Sequence, residues 1–234
     1  MWLIATYEHT SLFSLKNTNS TSSGGRTNIV PTMYSIKLAL INALYRMGKD
    51  GENEFPWVKD LVIRISPPKH AVVNNSFIKI LREPKKDKNN PNQKEFISSI
   101  AYREFVHFDG LLKIAFNLNM LHSDQIELLK QASIRVRYFG KRGSFVQFKG
   151  FEMINEEELS SDFTWILGDE RTSFNSHVQF QQLDDIGSNA LFQNINTYDE
   201  TKSKIGKDRL LLPVAVPYLL KSSSRSYTHF VKAE

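Results

Sequence analysis

The chain has 234 residues, 41% of them hydrophobic and 12% aromatic, enough to bury a sizeable core in one large domain or one domain with an appendage. No apolar run approaches the ~18 residues of a membrane-spanning helix, and the opening "MWLIATYEHT" has no basic n-region, so no secretory leader is expected. The absence of cysteine excludes a disulfide framework and thiolate catalysis and points to the cytoplasm. The six histidines form no HxH or HxxxH pair, so neither a metal nor another cofactor is expected.

The net charge of +5 hides a strong asymmetry. Residues 1–150 carry 22 Lys/Arg against 12 Asp/Glu, residues 151–200 carry only Arg171 against 11 acids, and residues 201–234 carry 7 against 2. A basic body with an acidic block suits a protein that meets a polyanion on one face; the plainer reading is a solvated acidic surface.

"WLIATY" (2–7) reads as a buried opening strand, and residues 8–31 as a polar loop rich in Ser, Thr, Asn and Gly. A helix then follows, with Ile36, Leu40, Ala43, Leu44 and Met47 at helical spacing and Gly48 where it would stop. "LVIRIS" (61–66) is a short strand ended by Pro67-Pro68. "NSFIKIL" (75–81) and "FISSIAYREFVHF" (96–108) flank a polar, basic excursion, "REPKKDKNNPNQKE" (82–95), of a length that is usually functional or disordered. Asp109-Gly110 between "YREFVHF" and "LLKIAFNL" predicts a β-hairpin. A helix capped by Ser123 or Asp124 comes next, with Ile126, Leu129 and Ala132 along one side. "SIRVRYFG" is then expected as a strand and "KRGSFVQF" as a basic turn into another. The pattern predicts an α+β fold: a ferredoxin-like βαββαβ domain over 1–150 with an insertion at 82–95. A less regular extension over 151–234 is expected to pack on it, its apolar run "LLLPVAVPYLL" (210–220) broken by two prolines into an edge strand or coil.

Three basic sets are candidates for binding phosphate. Arg26, on a Ser/Gly loop, precedes Thr32 and Ser35 at a helix N-terminus, where free amides and the helix dipole favour an anion; Thr32 is equally an ordinary N-cap. "GKRGS" (140–144) is not a nucleotide-hydrolysing P-loop, because the first glycine of that motif would fall at Arg135 and Arg142 stands where Ser or Thr should hold magnesium. Its glycines still let the chain approach a phosphate, with Lys141 and Arg142 supplying charge. Lys85, Lys86, Lys88 and Lys94 make the third set, on the excursion. No Ser-His-Asp signature or acid–base pair at a characteristic spacing is present; His9, His107 and His122 are lone histidines, which are more often structural than catalytic.

Three segments occur in order: a Gly/Arg loop leading through "PTMYS" into "IKLALINALYRMG", a central "YREFVHFDGLLKIAF", and "LLKQASIRVRYFGKRGS". Together they resemble the CRISPR-associated "Cas five" family, over about residues 1–150. The family's proline-led helix, Arg-Glu-aromatic strand and Tyr–Gly–basic pair map to Pro31–Met47, Arg103-Glu104-Phe105 and Tyr138–Arg142. The Gly-Pro often found after the first strand is missing from "EHTSLFSL", and Gly143-Ser144 follows the basic pair in place of the usual Cys or Pro. The resemblance implies a non-catalytic subunit that caps the 5′ handle of the guide RNA in a type I Cascade complex. It implies a "thumb" at the 82–95 excursion, "Cas seven" backbone and "Cas eight"-type large subunits as partners, and target DNA met through the complex. The implied RNA contacts are Arg26, Thr32, Tyr34, Ser35, Lys85, Lys86, Lys88, Lys94, Arg103, Arg137, Tyr138, Lys141 and Arg142. One branch of the family cleaves precursor RNA with a Tyr/Lys/His set; that set does not map onto this sequence, and metal-independent endoribonuclease activity is the rival reading.

Replacing residues 84–93, polar and lysine-rich, by a short Gly-Ser turn is expected to leave thermal stability unchanged while impairing recovery of an assembled complex on guide RNA. A much earlier melt would make the segment part of the core; normal assembly would remove the thumb assignment.

Overall fold

The computed structural model describes residues 1–20, 24–84, 95–168 and 178–233. In chain order the elements are β1 (Trp2–His9), β2 (Gly24–Gly25), α1 (Met33–Arg46), α2 (Gly51–Asp60), β3 (Ile63–Ser66), β4 (His70–Arg82), β5 (Ile97–Asp109), β6 (Leu111–Asn117), α3 (Ser123–Arg135), β7 (Val146–Ile154), β8 (Trp165–Ile166), β9 (Gln179–Ile186), α4 (Phe192–Ile195), β10 (Arg209–Val216), β11 (Tyr218–Ser223) and β12 (Tyr227–Lys232). The fold is mixed α and β. β3, β6, β1 and β7 form an antiparallel sheet in that order.

From Trp2 to Ala5, β1 is apolar on both faces because both are covered. Leu3, Ala5 and Tyr7 share a core with Ile36, Leu40 and Leu44 of α1 and Leu129 and Ala132 of α3. Trp2 and Ile4, displaced by one residue, point the other way and pack with Ala115, Leu159 and Phe163. The Tyr7 hydroxyl, fully buried, donates to the Ser133 carbonyl at 2.9 Å, tying strand to helix.

α1 begins where the sequence indicates. Thr32 is its N-cap, with a reciprocal capping box to Ser35, and Gly48, at φ 75°, follows its C-terminal end. Sequence reading leaves residues 49–60 unassigned, yet Asp50 caps α2 there by accepting from the Glu52 amide at 3.0 Å, and Phe55 and Val58 are buried.

Three expectations are corrected. Asp109-Gly110 is not a hairpin. β5 is paired with β4 and β2, and β6 with β1 and β3, so the chain crosses from one sheet to another at this bend. Gly110 has φ 103°, and a Cβ there would lie 2.9 Å from the Lys69 amide nitrogen. The true hairpin is β4–β5, inserted between β3 and β6 and paired from His70↔Asp109 to Arg82↔Ile97; residues 85–94 lie outside the described residues. "SIRVRYFG" is not a strand: α3 continues through Arg135, and only Tyr138 makes an isolated bridge, to Phe145. The run at 210–220 forms parts of two strands: Tyr218–Leu220 begin β11, an edge strand as expected, but the part before Pro217 is not at an edge. β10 is the middle strand of the sheet β8-β10-β9. Pro213 removes one donor, but its carbonyl still accepts from the Leu167 amide at 2.9 Å, and Val214, Ala215 and Val216 are buried.

Strands β9 to β12 pack on the rest of the described residues. Leu183, Ile186, Val214, Val216 and Tyr218 belong to the same core as α1, and β12 pairs with β4 in the sheet β11-β12-β4-β5-β2. The join includes an ion pair, Lys37 Nζ to Asp185 at 2.7 Å, with Lys37 also donating to the Lys59 carbonyl at 2.8 Å. Burial holds the Lys37 ammonium below its usual range and the Asp185 carboxyl above its own. For both groups the loss of water outweighs the mutual attraction, as is common for buried pairs.

Asp185→Ala is therefore expected to cost about 3–5 kcal/mol by stranding the buried Lys37 charge, and Lys37→Met/Asp185→Leu to recover most of it. Urea unfolding of the three proteins checks this; a single variant as stable as the parent would show that Lys37 escapes to water.

Candidate nucleic-acid interface

The long loop after β1 is held at several points. The Phe13 and Val106 backbones exchange hydrogen bonds at 2.8 Å in both directions, and the Ser14 hydroxyl donates to the Glu104 carbonyl at 3.0 Å. Further on, the Thr27 amide donates to Glu104 Oε2 at 2.8 Å, and β2 lies parallel to β5 with Gly25 opposite Arg103. The Arg103 side chain crosses Gly25 so closely that a Cβ there would be 2.8 Å from its Cδ. Arg103 donates to the Tyr102 carbonyl at 2.8 Å and is partly buried. The Arg103-Glu104 pair thus clamps the glycine loop. Arg26, next to the clamp, is exposed.

The basic turn is fixed against the same loop. Gly140 (φ 73°) and Gly143 (φ 106°) shape it, and the Ser144 amide donates to the Lys141 carbonyl at 3.0 Å. The Ser11 hydroxyl donates to the Gly143 carbonyl at 2.6 Å and accepts from the Phe145 amide at 2.7 Å. The Ser14 amide donates to the Ser144 hydroxyl at 3.1 Å. Lys141 and Arg142 stand in solvent on this rigid support.

Beside the turn is a cavity of about 240 Å³. It brings together Thr32, Tyr34, Ser35, Arg137 and Tyr138 of the residues expected from sequence; Arg26, Arg103, Lys141 and Arg142 do not line it. Lys85, Lys86, Lys88 and Lys94 lie outside the described residues. Thr32 and Ser35 are 1% and 8% exposed and hydrogen-bonded to each other. Their hydroxyls serve the cap, so the helix terminus does not present the open anion site that the sequence suggested.

The cavity also contains two residues that sequence reasoning missed, Asp184 and Arg209. Arg209 Nε donates to Asp184 Oδ2 at 2.6 Å, and its guanidinium lies 4.4 Å from the centre of the Tyr34 ring. Burial pushes the Tyr34 hydroxyl pKa up; Arg209 draws it back down and Asp184 raises it. The pair meets because β9 and β10 align with Leu211 opposite Asp184, a register with no signal in local spacing.

The three histidines singled out from the sequence, His9, His107 and His122, do not line this cavity. His107 and His122 are exposed elsewhere on the surface. His9 packs between Phe13 and Phe108, with centroids 5.7 and 4.6 Å away, and neither ring nitrogen has a hydrogen-bond partner. Burial lowers its pKa to about 4.

No protein-family model matches the chain. Its fold is similar to that of a crystal structure of a CRISPR protein from Archaeoglobus fulgidus, at a TM-score of 0.52 and 10% identity, covering 100% of this chain and 92% of that one. In sequence it is similar to the CRISPR-associated protein Cas5 of Archaeoglobus fulgidus, 28% identical over 205 residues, which are 84% of this chain and 85% of the relative. A chain from a CRISPR RNA-guided surveillance complex is a looser match, at a TM-score of 0.47 and 12% identity over 92% of this chain and 91% of that one. The resemblance read from the motifs thus extends to most of the chain.

A neutral His9 with both ring nitrogens withdrawn from water makes stability depend on pH. Its folded pKa of about 4 lies below the ordinary 6.5, so the unfolded chain binds the proton more readily. Its contribution is complete above pH 6.5 and is lost as pH falls toward 4, by up to roughly 3 kcal/mol. His9→Phe should flatten that part of the profile, measured as urea midpoints of both proteins across pH 4–7.5. Equal slopes would place His9 in contact with water.

Proposed function

We propose that the chain is a non-catalytic subunit of a type I CRISPR interference complex that binds and caps the 5′ handle of the guide RNA. The observation that carries this reading is the similarity to a Cas5 protein over 84% of this chain and 85% of the relative. On this reading β1, α1, β3, β6, α3 and β7 are a ferredoxin-like unit, and the strand order β3-β6-β1-β7 supports it. The β4–β5 hairpin stands between β3 and β6 as the thumb, which would meet the "Cas seven" backbone subunit, with a "Cas eight"-type large subunit nearby and target DNA reached through the complex. The unit expected over 1–150, whose last strand β7 runs on to Ile154, carries the RNA face, and the described residues after it form an extension packed against it. The protein works in the cytoplasm, and among the described residues no helix is long and apolar enough to cross a membrane.

The RNA backbone would run over the exposed cations Lys141 and Arg142 and past Arg26. Both groups of cations stand on loops tied to the same residues: Ser11 and Ser14 hold the turn, and Glu104 holds both Ser14 and Thr27. Prior fixation of the loops limits the ordering entropy to be spent on binding.

Arg26→Ala and Lys141→Ala/Arg142→Ala should weaken handle binding by about 1.5–3 kcal/mol per phosphate contact without lowering the melting temperature. With about five contacts, log K for guide RNA should fall with log salt at a slope of roughly −3 to −4. A flat titration, or unchanged affinity in both variants, would remove the basic face; RNA cleavage in EDTA by the purified protein would favour the endoribonuclease reading.

A further inference from the structure

We propose that the cavity between α1, the 137–140 segment and strands β9 and β10 receives one unstacked nucleobase of single-stranded RNA, leaving that nucleotide's phosphate outside on Arg137. The inference rests on the RNA-binding reading above and adds which part of the nucleotide enters. At about 240 Å³ the cavity is below the ~300–1,000 Å³ that encloses whole small molecules and suits a single ring system. Its charge selects against phosphate. Arg209, the cation that lines its inner wall, is already paired with Asp184, and Asp184 is only 3% exposed. A phosphate entering here would meet a buried carboxylate whose counter-charge is committed. A neutral planar group meets no such penalty.

The walls supply what a base needs. Tyr34 and Tyr138 offer aromatic surface, and the guanidinium over Tyr34 adds a second flat, polarisable plate. Asn42, exposed at the mouth on α1, offers both a donor and an acceptor to a base edge. Arg137 lines the cavity and is exposed, so it can hold the phosphate that stays outside, next to the Lys141-Arg142 turn. Arg209 and Asp184 come from β10 and β9, so the C-terminal part of the chain takes part in RNA recognition. The acidic block is then not uniformly a solvated face, because Asp184 and Asp185 are engaged by Arg209 and Lys37.

The test uses the full chain and an eight-nucleotide RNA copied from the 5′ end of the host guide RNA, with single abasic positions introduced in turn, read by fluorescence anisotropy. One position is expected to cost about fivefold or more when its base is removed, and the others much less. Ala39→Leu, which adds bulk to the cavity lining, should lower affinity for intact RNA to that of the sensitive abasic RNA and leave abasic RNA unaffected. Arg137→Ala should weaken both. Asn42→Phe, at an exposed mouth position, replaces Ala39→Leu if the latter melts early. A flat abasic scan, or cavity-filled variants that bind intact RNA normally while binding remains salt-dependent, overturns the base pocket and leaves the RNA-binding reading standing. Absence of any RNA binding overturns both.

Discussion

From Trp2 to Ala5, strand β1 has no spare surface. Its two edges are taken by β6 and β7, one face by α1 and α3, and the other by the segment around Leu159 and Phe163. A one-residue slip would exchange Leu3, Ala5 and Tyr7 for Trp2 and Ile4 and misfit both cores at once. The site inherits this constraint. β1 ends at His9, and Ser11, Phe13 and Ser14 follow at once to tie the basic turn and β5 in place. The positions of Arg26, Lys141 and Arg142 therefore depend on a strand outside the proposed RNA face.

Charged groups divide into two populations with opposite physics. Lys37, Asp185, Asp184 and Arg209 are withdrawn from water to different degrees and engage one another, where removing one partner is expensive. Lys141, Arg142 and Arg26 stay hydrated and are worth little until a polyanion arrives. Counting charge along the chain merges the two. It found a basic body and an acidic block, yet two of the block's acids are internal fastenings.

Periodic elements were legible in the sequence: β1, α1 with its cap and stop, β3, β5, the start of α3 and β7 all lie close to where alternation puts them, although the N-cap of α3 is His122 and neither Ser123 nor Asp124. Asp109-Gly110 misled because a turn signal specifies a change of direction and not which strands pair afterwards; that was decided by which edges β1, β3, β4 and β2 left open. Pro213 misled because a proline removes only one donor, and β10 retained its central place through burial. Of the cavity, Tyr34, Arg137 and Tyr138 could be named from motifs, while Arg209 and Asp184 depend on the β9–β10 register and have no local signature.

β4 acquires its outer partner late. Residues 70–74 pair with β12, whose Tyr227–Val231 stretch is made by the ribosome some 150 residues afterwards. Until then one edge of β4 offers open amides and carbonyls, and β1 is in a similar position until β7 is made. Such long sequence separations slow folding. The nascent chain must pass through most of its synthesis with bare strand edges, so its yield in a cell depends on translation speed and on chaperones that cover those edges.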